Sequence, residues 1–169
     1  IFEGVDTTLV GITADLPVAA ANAARVPLNE YRRSILAAVD EFGLDPMPIA
    51  PHLFDARMYL QAAQAEVGDA ADMEFATAIA TRLDVTNRAI FAATGVSFDV
   101  RSVDDLVVPG QTVRVGAQLW NGGTYTLASP ETSLALPAGW TSTLVETSGL
   151  SPEGSVAPGD LASFTYEVA

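Results

Sequence analysis

Apolar positions follow two different rhythms along this chain. Up to about Gly95 they recur three or four residues apart, and beyond it they alternate with polar ones. In the first part, Leu9, Ile12 and Leu16 recur at helical spacing behind Asp6 or Thr7, either of which suits an N-cap. Pro17 either ends that segment or starts the Ala-rich stretch after it. Pro27 suits a first helical turn, with Glu30 near the positive end of the helix dipole. Tyr31, Ile35, Ala38, Val39 and Phe42 form one apolar stripe, and Gly43 stands where a left-handed cap belongs. Leu44-Asp45-Pro46-Met47-Pro48 reads as a loop, because its prolines cannot continue a helix. A second helix is predicted from Pro51 to Val67, stopped by Gly68. A third is predicted from about Ala70 to Thr94, with Phe75, Ile79, Leu83, Thr86, Ile90 and Ala93 on one face and Gly95 as its end. Helices of this length with short joints predict an antiparallel bundle, and their many Ala would let the axes approach closely.

The second part reads as strands. Phe98 and Val100 alternate with Asp99 and Arg101; Val113, Val115, Ala117 and Leu119 alternate with Arg114, Gly116 and Gln118. Thr132, Leu134 and Leu136 share a face, as do Ala162, Phe164, Tyr166 and Val168. Two Pro-Gly turns, Val108-Pro109-Gly110-Gln111 and Ala157-Pro158-Gly159-Asp160, each launch a strand with the type II signature. The expected fold class is therefore α+β. A helical bundle over residues 1–95 precedes an antiparallel β-sandwich over residues 96–169.

Composition sharpens that boundary. Of the 28 Ala, 21 lie in residues 1–95, whereas residues 96–169 hold 17 Ser and Thr against 8 before them. Charge does not divide the same way: 13 acids and 6 Arg precede the boundary, 8 acids and 2 Arg follow it. A formal net charge of −13 repels a phosphate backbone, which argues against a nucleic-acid partner. No apolar run is long enough to predict a membrane span. The chain opens on Ile1-Phe2-Glu3-Gly4 and closes on Glu167-Val168-Ala169 within a predicted strand, so both ends read as cuts through a longer protein.

Candidate chemistry is sparse. Zero Cys excludes disulfides, thiol catalysis and Cys-based zinc sites. His52 has no second His to share a metal with, and a catalytic zinc needs about three protein ligands. Its expected place is a cap or a surface, and no metal or other cofactor is expected. Asp104-Asp105 lacks the interleaved acids of a calcium loop and reads as an exposed turn. Asp69, Asp72 and Glu74 stand where acids favour the third helix's dipole. The Ser and Thr of residues 141–151 accompany no nucleophile elbow. Trp120, Tyr125 and Trp140 are the candidate sugar-stacking residues. Trp120 falls on the polar side of its strand, and Trp140 follows a turn where it would plug the sandwich end. Asn121-Gly122-Gly123 reads as a turn before it reads as a ligand loop.

Two resemblances add to this. The order Val108-Pro109-Gly110, Trp120-Asn121-Gly122-Gly123, Leu136-Pro137-Ala138-Gly139-Trp140 and Ala157-Pro158-Gly159-Asp160 resembles the Ig-like domain associated with carbohydrate enzymes, the NPCBM-associated or α-galactosidase-associated domain. That resemblance implies an Ig-like sandwich whose closing strand or strands have no counterpart up to Ala169. Phe2-Glu3-Gly4-Val5-Asp6-Thr7-Thr8-Leu9 and Asn87-Arg88-Ala89-Ile90-Phe91-Ala92-Ala93-Thr94-Gly95-Val96 resemble segments of large bacterial PIG-L-type deacetylases, downstream of the catalytic domain. That family's zinc site carries an Ala-His-Pro-Asp-Asp segment. Pro51-His52-Leu53 lacks the acid pair, so no catalytic residue carries over.

The resemblance implies a non-catalytic accessory region of a larger carbohydrate-active protein, outside the cell or at a bacterial cell surface. Its bundle would buttress an upstream catalytic domain and its sandwich would space or present it. The alternative is an independent module that binds glycan or a cell-surface ligand.

Overall fold

A computed structural model of the chain describes residues 9–102, 106–108 and 110–169. The expected cap at Asp6 or Thr7, the Phe2–Thr8 part of the deacetylase-like motif, the Asp104-Asp105 turn and Pro109 lie outside the described residues. The fold is α+β: three helices precede a four-stranded antiparallel sheet. The chain divides into two compact units, Ile1–Ala93 and Thr94–Ala169, each described here by itself.

In the helical unit a 3₁₀ turn, Leu9–Thr13, leads into α1 (Val18–Glu41), α2 (Ala50–Val67) and α3 (Met73–Thr94). Two buried clusters fix their directions. One joins Leu16, Ala20, Ala24 and Leu28 to Leu60, Ala63 and Val67 of α2 and to Phe75 and Ile79 of α3. The other joins Ala38 of α1 to Ile49, Ala50, Leu53, Ile90 and Ala93. The start of α1 therefore meets the end of α2 and the start of α3, an up-down-up arrangement. Backbones of α1 and α2 run close together along their length, while α3 stands further off. Side-chain size accounts for this. Ala24, Ala56 and Ala63 are fully buried, and small contacts bring axes together, whereas α3 meets its neighbours through Phe75 and Ile79. Burying each of those larger side chains contributes about 2–3 kcal/mol.

Three details of the first helix differ from expectation. Pro27 does not open a helix: it lies buried inside α1, and Pro17 takes the N-cap position instead. The Ala-rich run ahead of Pro27 has enough helix propensity to extend upstream past the missing N–H. Gly43 is not left-handed. The chain leaves the helix at Phe42, which is extended with φ −63° and ψ 125°. Gly68, at φ 52°, does turn left-handed where α2 ends. Of the predicted stripe only Ala38 is buried, while Val39 and Phe42 are exposed. The third helix starts at Met73 rather than Ala70, because Asp72 caps it. The Phe75 N–H donates to Asp72 Oδ1 at 2.7 Å, and the Asp72 carbonyl accepts from the Ala76 N–H at 3.0 Å.

The β unit is one sheet of order β1-β2-β4-β3. Its strands are β1 (Val96–Ser102), β2 (Val113–Asn121), β3 (Ser142–Ser148) and β4 (Leu161–Val168). Register sets the faces. Val113, Val115, Ala117 and Leu119 pair with Val168, Tyr166, Phe164 and Ala162, and together they form the apolar inner face. Arg114 pairs with Glu167 on the opposite, polar face, their side chains 3.2 Å apart. Both edge strands are mostly exposed, including the inner-face residues Phe98 and Val100 of β1 and Leu144 of β3. A register shift between Leu144 and Glu146 bends β3, and such an irregularity discourages further pairing along an edge.

A second sheet is not present among the described residues. Thr132, Leu134 and Leu136 do share a face, as their spacing predicts, but they belong to an extended segment outside any ladder. Leu127, Leu134, Leu136, Leu150 and Val156 pack on the inner face, and Leu127 pairs with Val156 in an isolated bridge. The Tyr166 hydroxyl donates to the Thr132 carbonyl at 2.6 Å and ties this cover to β4.

Candidate functional site

The three aromatic candidates are half-exposed or more, but they do not converge. Trp120 lies on the polar face of β2, opposite Ser97 and Leu161, and is 49% exposed. Its ring occupies the space a side chain at Gly122 would need, so the glycine provides its seat. Tyr125, 69% exposed, follows on the same end of the sheet, where its carbonyl accepts from Asn121 Nδ2 at 2.8 Å. Trp140 sits at the other end, beyond Ser142, which pairs with Val168 and hence lies level with Val113. Seven residue steps along β2 lead from Val113 to Trp120, about 23 Å at ~3.3 Å per step.

Trp140 follows the Pro137–Trp140 turn, closed by its own N–H donating to the Pro137 carbonyl at 3.2 Å. Instead of plugging the end of the fold it is 49% exposed. It stands between two open apolar clefts. One, of about 510 Å³, is lined by Val107, Val108, Gly139 and Ala169. The other, of about 310 Å³, is lined by Val107, Val113, Leu134, Leu136 and Val168. Gln111 is the polar side chain at the first cleft, and its Oε1 accepts from the Val108 N–H at 3.3 Å. The site thus offers an aromatic plate on apolar walls with few directional groups, a surface suited to packing against apolar matter.

Asn121 is the polar centre of the opposite end, and it is a structural one. It is fully buried. Its Nδ2 donates to the Tyr125 and Val156 carbonyls at 2.8 and 3.0 Å, and its Oδ1 accepts from the Gly123 N–H at 3.2 Å. Its backbone N–H donates to the Asp160 carbonyl and its carbonyl accepts from the Gly159 N–H. Every bonding group of this residue is directed inward, and Asn121-Gly122-Gly123 is a turn.

His52 lies in the first turn of α2 and meets Glu41 of α1, Nε2 to Oε2 at 2.9 Å. It bridges the ends of two helices. Among the described residues, no group of three or more His, Cys, Asp or Glu side chains is placed to hold a metal ion. Nor is any helix among them long and apolar enough to cross a membrane. On the helical unit, Ile35, Ala38, Val39, Phe42, Ile49 and Leu53 line a further open apolar groove of about 230 Å³. Sequence reasoning missed this groove: it placed Val39 and Phe42 on one apolar stripe, and helical spacing is the same whether or not a stripe is covered.

A comparison with protein-family models finds none that matches the chain, and no curated protein and no solved structure matches it.

Proposed function

We propose that the chain is a non-catalytic accessory region of a larger carbohydrate-active, PIG-L deacetylase-like protein. In this reading the helical unit buttresses the catalytic domain, and the β unit is one layer of an Ig-like sandwich that spaces or presents it. The observation that carries it is the unspent apolar surface on both units. Val39 and Phe42 beside the groove on the helices, and Phe98, Val100 and Trp140 on the β unit, are all exposed. Apolar surface of this kind, gathered in grooves, is the usual mark of a packing surface. The antiparallel order β1-β2-β4-β3, with an extended segment laid across the inner face, supports the Ig-like assignment, because one layer of such sandwiches has this order.

The open reading frame around this segment is the direct test. A His-Pro-Asp-Asp segment encoded upstream supports the reading, and its absence removes the deacetylase link. The purified chain should also show no N-deacetylase activity and retain less than about one tenth of an equivalent of zinc after dialysis, because His52 has no companion ligands among the described residues. Stoichiometric zinc held by this chain would overturn the non-catalytic assignment.

The second reading, an independent glycan-binding module, draws on one observation: Trp140 presents a half-exposed ring between the two clefts. A glycan array probed with the chain and with Trp140→Ala distinguishes the two readings. Binding lost in the variant favours the module.

A further inference from the structure

Asn121-Gly122 is the chain's single Asn-Gly pair, the dipeptide in which a backbone nitrogen most readily attacks the side chain before it. Glycine has no Cβ to shield that nitrogen or to restrict its approach. The reaction needs Gly122 N and Asn121 Cγ free to meet, and the folded β unit holds both. The Gly122 N–H donates to the Gly95 carbonyl at 2.9 Å, and the Trp120 ring fills the space beside the Gly122 Cα. Asn121 is 1% exposed. Its Nδ2 donates to the Tyr125 and Val156 carbonyls, and its Oδ1 accepts from the Gly123 N–H. Turning the amide toward Gly122 N breaks all three bonds in a buried place.

We propose that Asn121 is a spontaneous modification site gated by folding: its deamidation through Gly122 waits on unfolding of the β unit and then bars the unit's return. In the opened chain the Gly122 nitrogen gives its proton to hydroxide or water and bonds to Asn121 Cγ. The Cγ–Nδ2 bond breaks, and Nδ2 takes up a proton and leaves as ammonia. Water then opens the cyclic imide. Cleavage at Cγ leaves Asp, and cleavage at the backbone carbonyl leaves isoaspartate, whose main chain runs through Cβ and Cγ. Neither product fits the native site. Asp brings a carboxylate, which only accepts, against the Tyr125 and Val156 carbonyls in a buried place. Isoaspartate lengthens the chain between the backbone bonds that this residue makes to Asp160 and Gly159. The site is independent of the accessory reading and holds whatever the parent acts on.

The test is incubation of the chain in mildly alkaline buffer with and without urea, followed by peptide mass spectrometry. Trypsin cuts last after Arg114, so Asn121 is reported by the peptide of residues 115–169, which holds no other Asn. Amide loss at Asn121 should run at least about tenfold slower in the native chain than in urea, because only the small unfolded population reacts. In urea, where folding plays no part, Gly122→Ala should slow the loss at least about tenfold. Phe164 is buried and pairs with Ala117, four residues from Asn121 along β2. Phe164→Leu should lower the urea midpoint of Trp fluorescence and raise the native-buffer rate by the same factor as the unfolded fraction. On dilution from urea the unmodified chain should recover native fluorescence and the deamidated chain should not. Equal rates with and without urea, a Phe164→Leu rate that stays at the parent's despite a lowered midpoint, or a deamidated chain that refolds as the parent does would overturn the proposal.

Discussion

At the scale of single residues, the side chains that matter most to the fold are polar ones at the ends of elements. Asn121 joins the turn after β2, the carbonyl of Val156 and the Ala157–Asp160 turn through bonds on both its side chain and backbone. An apolar residue there would leave the Gly123 N–H without its acceptor and a small cavity. Asn121→Ala should therefore destabilise the β unit by about 2–3 kcal/mol. Both Trp of the chain, Trp120 and Trp140, lie in this unit, so urea denaturation followed by Trp fluorescence reads the loss directly. Asp72 plays the corresponding part for α3, and Asp72→Ala should remove about 1 kcal/mol of helix stability, measured by far-ultraviolet circular dichroism. The sequence placed Asp72 correctly as an acid at a helix start. That it is the capping residue depends on where the chain turns, which moves the helix start from Ala70 to Met73.

At the scale of elements, residue size sets the geometry of the bundle. Ala24 and Ala56 are fully buried where α1 and α2 run close together. Ala24→Leu should overpack that contact and destabilise the helical unit by about 1–3 kcal/mol. Ala19→Leu, on the exposed face of α1, should change stability by less than about 0.5 kcal/mol. Thermal melts at 222 nm compare the two, and equal effects would mean that the α1–α2 contact is loosely packed. The strands show where pattern reading stops. Thr132, Leu134 and Leu136 alternate as a strand should, and they lie on the sheet, yet they join no ladder. Ser142–Ser148 pairs with β4 but has every residue exposed. With no buried face it carries no alternation to read, and its Ser and Thr content draws the eye to chemistry instead.

At the scale of the whole molecule, the two units supply independent optical signals. Trp fluorescence reports the β unit, and the 222 nm signal is dominated by the helices. If the units unfold separately, Asn121→Ala will lower only the fluorescence transition and Ala24→Leu only the helical one. Coincident shifts in both variants would instead show thermodynamic coupling, which a buttressing role requires. The first residues of the β unit are held within their own sheet. The Gly95 carbonyl accepts from the Gly122 N–H at 2.9 Å, and Val96 already pairs with Asn121 in β1. Limited proteinase K digestion should therefore spare residues 94–97 under native conditions. Early cleavage there, releasing two stable halves, would sink the buttress reading.

Local order was legible in the sequence because it is written in neighbouring residues. The change from helical to alternating periodicity near Gly95, the end of α2 at Gly68, the buried row from Phe75 to Ala93 and the Ala157–Asp160 turn each need only a few consecutive positions. What required the tertiary structure is everything that depends on which surfaces meet. Val39 and Phe42 carry the same spacing as buried residues but are exposed. Trp140 was placed at the end of the fold correctly, yet whether its ring is covered depends on segments far away in sequence. Pro27 sits inside a helix because the Ala-rich turns before it and the burial around it outweigh one lost hydrogen bond. Periodicity tells a residue which side to face; only the packed molecule decides whether a partner is waiting there, because burial is a property of pairs of surfaces and no single stretch of chain contains both.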